Sequence, residues 1–257
     1  VLRRSKVIRE LSFLTRDHES LILQLEVSGL LTEGGNMSWQ RARTDEKKNE
    51  RRTAICDAAV TLFKKKGYES VSFNGIAAEA GFTKSNMYRY YESKEDIFLN
   101  IFGDMFKTWQ MDYIIELKKL NENTSHREFA DTWINSFLKF PDFLDLIPLL
   151  FTSLEKNSSY NQLYKFKTMS KELLFQVVME VRRIYPILNT DRSFLLINSC
   201  FAMTSSFWAS NFQNEFINRI YEQDDFKFMK SNFKEDLATS IEILLKGFLI
   251  NDKNIKG

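Results

Sequence analysis

The sequence is poor in the residues that build cross-links, hairpins and catalytic centres. Only two cysteines, Cys56 and Cys200, occur in 257 residues. They show no paired spacing, which excludes a disulfide framework or a cysteine-rich zinc site and suits a reducing compartment. Histidine is equally scarce: His18 and His126 complete the set. No phosphate-binding glycine loop, dinucleotide fingerprint, G-x-S-x-G elbow or H-E-x-x-H pair is present. Acid pairs such as Asp142 and Asp145 read as a solvated helical turn. The expectation is a non-enzyme with no metal and no cofactor. A run of about eighteen apolar residues, the minimum for a membrane span, is missing. No apolar stretch precedes a small-residue cleavage site either, so the expected location is cytoplasmic, without membrane contact. Glycine is absent from residues 104–246, and the three prolines, Pro141, Pro148 and Pro186, all fall there. A series of tight hairpins needs residues with φ > 0, so long helices joined by polar loops replace them. The fold class is all-α.

What is present fits a folded chain with a buried core, at 44% hydrophobic and 27% charged residues. Residues 37–107 carry 13 basic and 10 acidic side chains, an excess that permits nucleic-acid binding without arguing for it. Residues 1–36 end in Glu33-Gly34-Gly35-Asn36 before Met37. That string can be encoded as a purine-rich ribosome-binding sequence followed by a start codon. Natural translation is therefore expected to start at Met37, with residues 1–36 as leader. The alternative is a helical extension, since Ile8, Leu11, Leu14, Leu21 and Leu25 show some helical periodicity.

From Thr44 onward the signals are dense. Thr44 with Asp45 and Glu46 predicts a helix start. Ala54, Ile55, Ala58, Ala59, Leu62 and Phe63 then mark one apolar face, and Lys64 to Lys66 followed by Gly67 mark its end. Tyr68 packs back beneath that end. Ser72 is expected to cap a short helix containing Ile76, Ala77 and Ala80, which Gly81 stops and Phe82 plugs. Thr83 is expected to cap a third helix, Lys84 to Tyr90, with Met87 and Tyr91 turned inward. Two short helices joined by a glycine turn form a helix-turn-helix unit over 72–91. Its second helix presents Lys84, Ser85 and Asn86 to base edges in the major groove, while the hydroxyls of Tyr88 and Tyr90 reach phosphates. Ser72 and Thr83 are caps that can also meet phosphate. The basic run Arg41 to Arg52, interspersed with acids, is a solvated face or an arm for the minor groove. Ser93 and Asp96 form a capping box opening a fourth helix.

Residues 54–98, AICDAAVTLFKKKGYESVSFNGIAAEAGFTKSNMYRYYESKEDIF, resemble the DNA-binding domain of the TetR family of bacterial transcriptional regulators. The matches include Ala58-Ala59, Leu62-Phe63, Gly67-Tyr68, Ile76-Ala77, Ala80-Gly81, Met87-Tyr88 and Ser93-Lys94-Glu95. The departures are Ser85 where the family usually has glycine, Asn86 for a common threonine, and Tyr90-Tyr91 for His-Phe. They leave the fold logic intact, and Ser85 and Asn86 stand where bases are read. The resemblance implies that Lys94 contacts a phosphate. It also implies a DNA-binding domain over 37–109 (core 49–109), followed by a helical-bundle domain over 110–257 for ligand binding and dimerisation.

In that second part, further helices are predicted at 126–139, 141–156, 159–184, 191–213 and 232–250, with Pro148 kinking the second of them. Residues 106–248 hold 25 of the 36 aromatic residues. Large rings pack imperfectly and leave cavities between helices. Trp133, Phe137, Phe140, Phe151, Phe175 and Trp208 are the candidates for lining a ligand cavity, although any single aromatic at helical spacing is more often core packing. The resemblance implies a dimer interface on the last two helices, through Phe201, Ser205, Trp208, Phe212, Leu237, Ile241, Leu244 and Phe248. A face buried within one subunit is the alternative. The functional expectation is a homodimeric repressor that binds a palindromic operator on double-stranded DNA. A small apolar or amphipathic inducer would release it. The other reading is a helical ligand-binding or protein-interaction module without operator function.

Overall fold

A computed structural model describes residues 35–211 and 215–250, with side chains for 46–210 and 215–250. Most of the leader segment and Phe212 therefore lie outside the described residues. The chain divides into two compact units, residues 1–54 and 55–257. Every regular element among the described residues is helical. In the first unit, residues 35–54 are helical. They belong to α1 (Gly35–Lys66), which begins upstream of the expected start at Thr44.

The second unit continues through a 3₁₀ turn (Tyr68–Ser70), α2 (Phe73–Glu79), α3 (Lys84–Met87), α4 (Lys94–Leu117) and α5 (His126–Leu138). Then come α6 (Pro141–Leu149), a π turn (Leu150–Leu154), α7 (Glu155–Asn157), α8 (Tyr160–Ile184) and α9 (Thr190–Asn211). The chain closes with α10 (Glu215–Tyr221), a second 3₁₀ turn (Asp224–Met229) and α11 (Phe233–Leu249). None of the described helices is long and apolar enough to cross a membrane.

Helix starts follow the hydroxyl residues. Ser72, Thr83, Ser93, Ser125 and Ser159 each accept a bond at 3.0–3.4 Å from the backbone N–H three residues on. Each bond satisfies one amide that a helix start leaves without a partner. Two ends need left-handed backbone, and both have glycine: Gly67 at φ 74° and Gly81 at φ 72°. After α2 the Phe82 amide donates to Ala77 O at 2.8 Å and the Gly81 amide to Ala78 O at 3.2 Å. This pair of bonds closes the helix and sets the angle at which α3 departs. The third helix is shorter than expected: it ends at Met87, and turns carry the chain from Tyr88 to Tyr90.

The core is aromatic and centred on Trp109 of α4. Its ring lies 4.5 Å from Phe137, 5.1 Å from Tyr113, 5.2 Å from Phe201 and 5.7 Å from Trp133. Buried indole N–H groups need acceptors. Trp109 donates to Ser136 Oγ and Trp133 to Thr204 Oγ1, both at 2.9 Å. The expected domain boundary between 109 and 110 falls inside α4, whose stripe continues to Leu117. Helix 141–156 is interrupted: Pro148 has no N–H to give its own helix, and the turn after it widens into the π turn. Between the predicted helices 191–213 and 232–250, residues 215–229 hold α10 and a 3₁₀ turn.

Two corrections follow from burial. Leu237 and Ile241 are 0% exposed, so they cannot meet a partner subunit. Phe201 also faces inward, edge-on to Phe106, Trp109 and Trp133. An apolar stripe on a helix shows that a face is covered, and here α11 is covered by the chain's own helices α5 and α9.

Candidate nucleic-acid interface and ligand cavity

Met87 (0% exposed) and Tyr91 (4%) anchor α3 from below. Thr83, Lys84, Ser85 and Asn86 consequently stand exposed together at its N-terminal end. Thr83 Oγ1 accepts the Asn86 amide at 3.3 Å and pairs with Ser85 Oγ at 3.2 Å. The side chain of Asn86 remains turned to solvent. Tyr88 is 53% exposed, its ring 5.2 Å from Phe73 of α2, with the Lys84 ammonium 6.0 Å from the ring centre. Ser72 is exposed at the start of α2 and caps it. Tyr90 is half-buried, with its ring 6.4 Å from that of Phe82.

Lys94 has a different surrounding from the exposed group. It is half-buried; its ammonium donates to Val71 O at 3.1 Å and Tyr68 O at 3.4 Å, and lies 4.3 Å from the Tyr68 ring centre. Val71 precedes the cap Ser72, so Lys94 holds the backbone that launches α2. The Tyr68 hydroxyl donates to Glu95 Oε1 at 3.2 Å and pairs with Ser153 Oγ at 2.9 Å. Burial raises its pKa well above that of a free tyrosine, so it keeps its proton.

The other end of α4's first turn is fixed by a buried carboxylate. The Ser159 amide (2.7 Å), Ser159 hydroxyl (2.9 Å) and Glu92 amide (3.1 Å) all donate to Asp96. Half of the expected capping box is formed: Ser93 caps as expected, while Asp96 accepts the Glu92 amide in place of the Ser93 amide and binds the N-cap of α8. Lys64 at the end of α1 pairs with Asp142 of α6 at 2.7 Å, half-exposed. Sequence reading found Asp96 as a cap and missed its partner, because Ser159 is 63 residues away and no periodicity reports such a contact.

A cavity of about 610 Å³ lies among α4, α6, the π turn, α8 and α9. Phe102, Phe106, Phe166 and Phe201 form part of its wall, together with Phe151 and Phe175, which are 53% and 56% exposed. At its rim Lys167 pairs with Glu155 at 2.6 Å, beside Lys171. Trp133, Phe137, Phe140 and Trp208, expected in the lining, lie elsewhere. Trp133 and Phe137 are fully buried in the Trp109 cluster. Phe140 starts α6. Trp208 packs on Phe233 at 4.9 Å and donates to Asp145 Oδ1 at 3.0 Å. Desolvation raises the Asp145 pKa above the ordinary carboxylate value, against the opposing pull of that bond. Rings on opposite faces of one helix look alike in sequence; packing alone separates wall from core. Of the remaining residues expected at a dimer contact, Ser205, Leu244 and Phe248 are half-buried.

A family model described as bacterial regulatory proteins of the tetR family matches residues 55–101. A second, described as a tetracyclin repressor-like C-terminal domain, matches 104–252. The uncharacterised HTH-type transcriptional regulator YfiR of Bacillus subtilis is 38% identical over 58 residues, 23% of this chain and 28% of that protein. The biofilm operon icaADBC HTH-type negative transcriptional regulator IcaR of Staphylococcus aureus is 31% identical over 72 residues, 28% of this chain and 36% of that one. The chain thus spans well under two thirds of the length of the curated relatives it matches. Among solved structures, Thermus thermophilus FadR, a TetR-family repressor in complex with lauroyl-CoA, superposes with a TM-score of 0.53 at 15% identity. That match covers 78% of this chain and 96% of FadR, and shows a shared fold. The short capped helix pair at the front and the aromatic bundle behind it, each matched by its own family model, place this chain in the TetR family of bacterial regulatory proteins, a family of regulators rather than enzymes.

Proposed function

We propose that the chain is a ligand-responsive transcriptional regulator in the cytoplasm, a repressor that binds a palindromic operator as a homodimer. The observation that carries this reading is the exposed tip Thr83-Lys84-Ser85-Asn86, held rigid from below by buried Met87 and Tyr91. Small and polar side chains there can approach base edges closely, and Asn86 can pair with adenine through two hydrogen bonds. Ser72, Thr83, Tyr88 and Tyr90 contribute hydroxyls to flanking phosphates. Lys94 contributes positive charge there while orienting α2 from behind.

A palindrome requires two reading heads about 34–36 Å apart, hence a dimer. The surfaces that support one are the outward faces of α9 and α11. The first exposes Ala202, Ser206 and Ala209; the second exposes Thr239, Ile243 (64%) and Gly247. Small side chains there permit close helix approach, and Ser205, Leu244 and Phe248 border them. The inducer is apolar or amphipathic, because a cavity of about 610 Å³ with phenylalanine walls and a charged rim takes such a molecule.

Gel-shift titration against the DNA upstream of the chain's own gene, repeated over a salt series, tests the reading. Contacts to several phosphates give a steep fall of affinity with salt. Absence of any retarded complex would leave a helical ligand-binding or interaction module instead.

A further inference from the structure

We infer that the π turn Leu150–Leu154 is the positioning element through which an occupied cavity acts on the reading head, by way of the hydrogen bond between Ser153 and Tyr68. This rests on the ligand-responsive reading above and adds a route to it.

The two sides of the turn face two different things. Leu150 and Phe151, with Glu155 just after, line the cavity. Phe151 is half-exposed and able to move with whatever fills the space. Ser153, two residues on, sits 2.9 Å from the Tyr68 hydroxyl. From there the contacts are continuous. Tyr68 donates to Glu95 and packs edge-on to Phe98 at 5.1 Å. Its ring covers the Lys94 ammonium, and that ammonium holds Val71 O immediately before the Ser72 cap of α2.

The turn is suited to move because it is not an ordinary helix. Pro148 interrupts the amide ladder, Thr152 Oγ1 donates back to Pro148 O at 2.8 Å, and the next turn is widened. A π turn carries about one residue more than an α turn; tightening it rotates the following side chains by roughly 100°, one residue's share of a helical turn. Such a change would carry Ser153 away from Tyr68. Asp96 supplies the fixed point: buried, and bound to the α8 cap by two hydrogen bonds. The head can therefore pivot at Asp96 while contact at Tyr68 is made or lost. The Lys64–Asp142 pair is half-exposed and screened by salt, a weaker restraint.

The test uses the full chain labelled with 3-fluorotyrosine, with the Tyr68 fluorine signal identified by its loss in Tyr68→Phe. The cavity probe is 1-anilinonaphthalene-8-sulfonate, whose own fluorescence reports binding. DNA affinity is measured on a duplex that the protein selects from a random-sequence pool. Filling the cavity is expected to shift the Tyr68 signal in the wild-type chain and to weaken DNA binding by a factor of roughly 5–150, the usual span of coupling between two sites. Ser153→Ala is expected to keep both separate affinities, lose the shift and bring the coupling factor toward unity, with Ser153→Thr restoring it. If Ser153→Ala does not fold, Tyr68→Phe, which keeps the ring against Phe98, is read for the same loss of coupling. Probe binding that leaves the Tyr68 signal still, or shifts it equally with and without the Ser153 hydroxyl, overturns the inference. Failure of the probe to bind overturns it together with the cavity. A Ser153-dependent shift without any change in DNA affinity upholds the relay and refutes the ligand-responsive reading.

Discussion

Asn86 and Tyr88 share a short stretch of chain yet have different neighbours, and that difference separates their expected roles. The Asn86 backbone is engaged by the Thr83 cap while its side chain stands exposed, as the proposed base contact requires. Asn86→Ala is expected to relax operator preference, removing about 1–3 kcal/mol of discrimination at one base position. Tyr88→Phe is expected to weaken binding evenly across sequences. Binding to a panel of single-base operator variants distinguishes the two, and a uniform loss in Asn86→Ala would refute its assignment. Asp145 offers a residue-scale test of stability. Burial raises its pKa in the folded chain, so its protonation favours the fold. That contribution is full below the ordinary carboxylate value and is lost as pH rises through the raised one. Asp145→Asn, which keeps an acceptor for Trp208, is therefore expected to be more stable than wild type at neutral pH. The advantage should shrink on acidification, as measured by urea unfolding at a series of pH values.

At the scale of elements, the reading head depends on how abruptly α2 stops. Gly81 adopts φ 72° with open space where a Cβ would stand, so its cost on substitution is conformational and not steric. Gly81→Ala is expected to destabilise the chain by about 1–2 kcal/mol, the strain of left-handed backbone for an L side chain. Because the two closing bonds at Gly81 and Phe82 fix the departure of α3, DNA affinity should fall further than stability alone explains. Chemical denaturation and gel shift on one preparation check both parts. The π turn is the other element whose geometry departs from the regular. Pro148 signalled an interruption of the helix in the sequence; that the interruption would take the form of a wider turn touching both cavity and head depended on Phe151, Ser153 and Tyr68 being brought together.

For the whole molecule, the proposed dimer rests on the outward faces of α9 and α11, where an exposed apolar residue can be tested. Ile243→Glu adds a charge to an exposed apolar position without entering the core, so the helical content should be unchanged. The expected result is a monomer by light scattering and a loss of operator affinity of several orders of magnitude, since one head cannot span a palindrome. A persistent dimer would move the interface elsewhere. By contrast, truncating Trp133 should cost about 3–5 kcal/mol wherever the partner sits, as for large core side chains generally. Its 0% exposure and its bond to Thr204 make it part of one subunit's interior.

The head was legible in the sequence because its determinants are local. A capping hydroxyl lies three residues from the amide it satisfies, and a glycine marks the place where the backbone turns left-handed. Helical class followed likewise from the long glycine-free stretch and its apolar spacing. The bundle was legible only as helices. Spacing shows that Trp133, Phe151 and Leu237 lie on helices of aromatic or apolar character, but whether such a face meets core, cavity or solvent depends on residues tens of positions away. Burial is a property of the packed whole: it put Trp133 and Leu237 in the interior, Phe151 on the cavity and Ile243 at the surface, and it joined Asp96 to Ser159 and Tyr68 to Ser153.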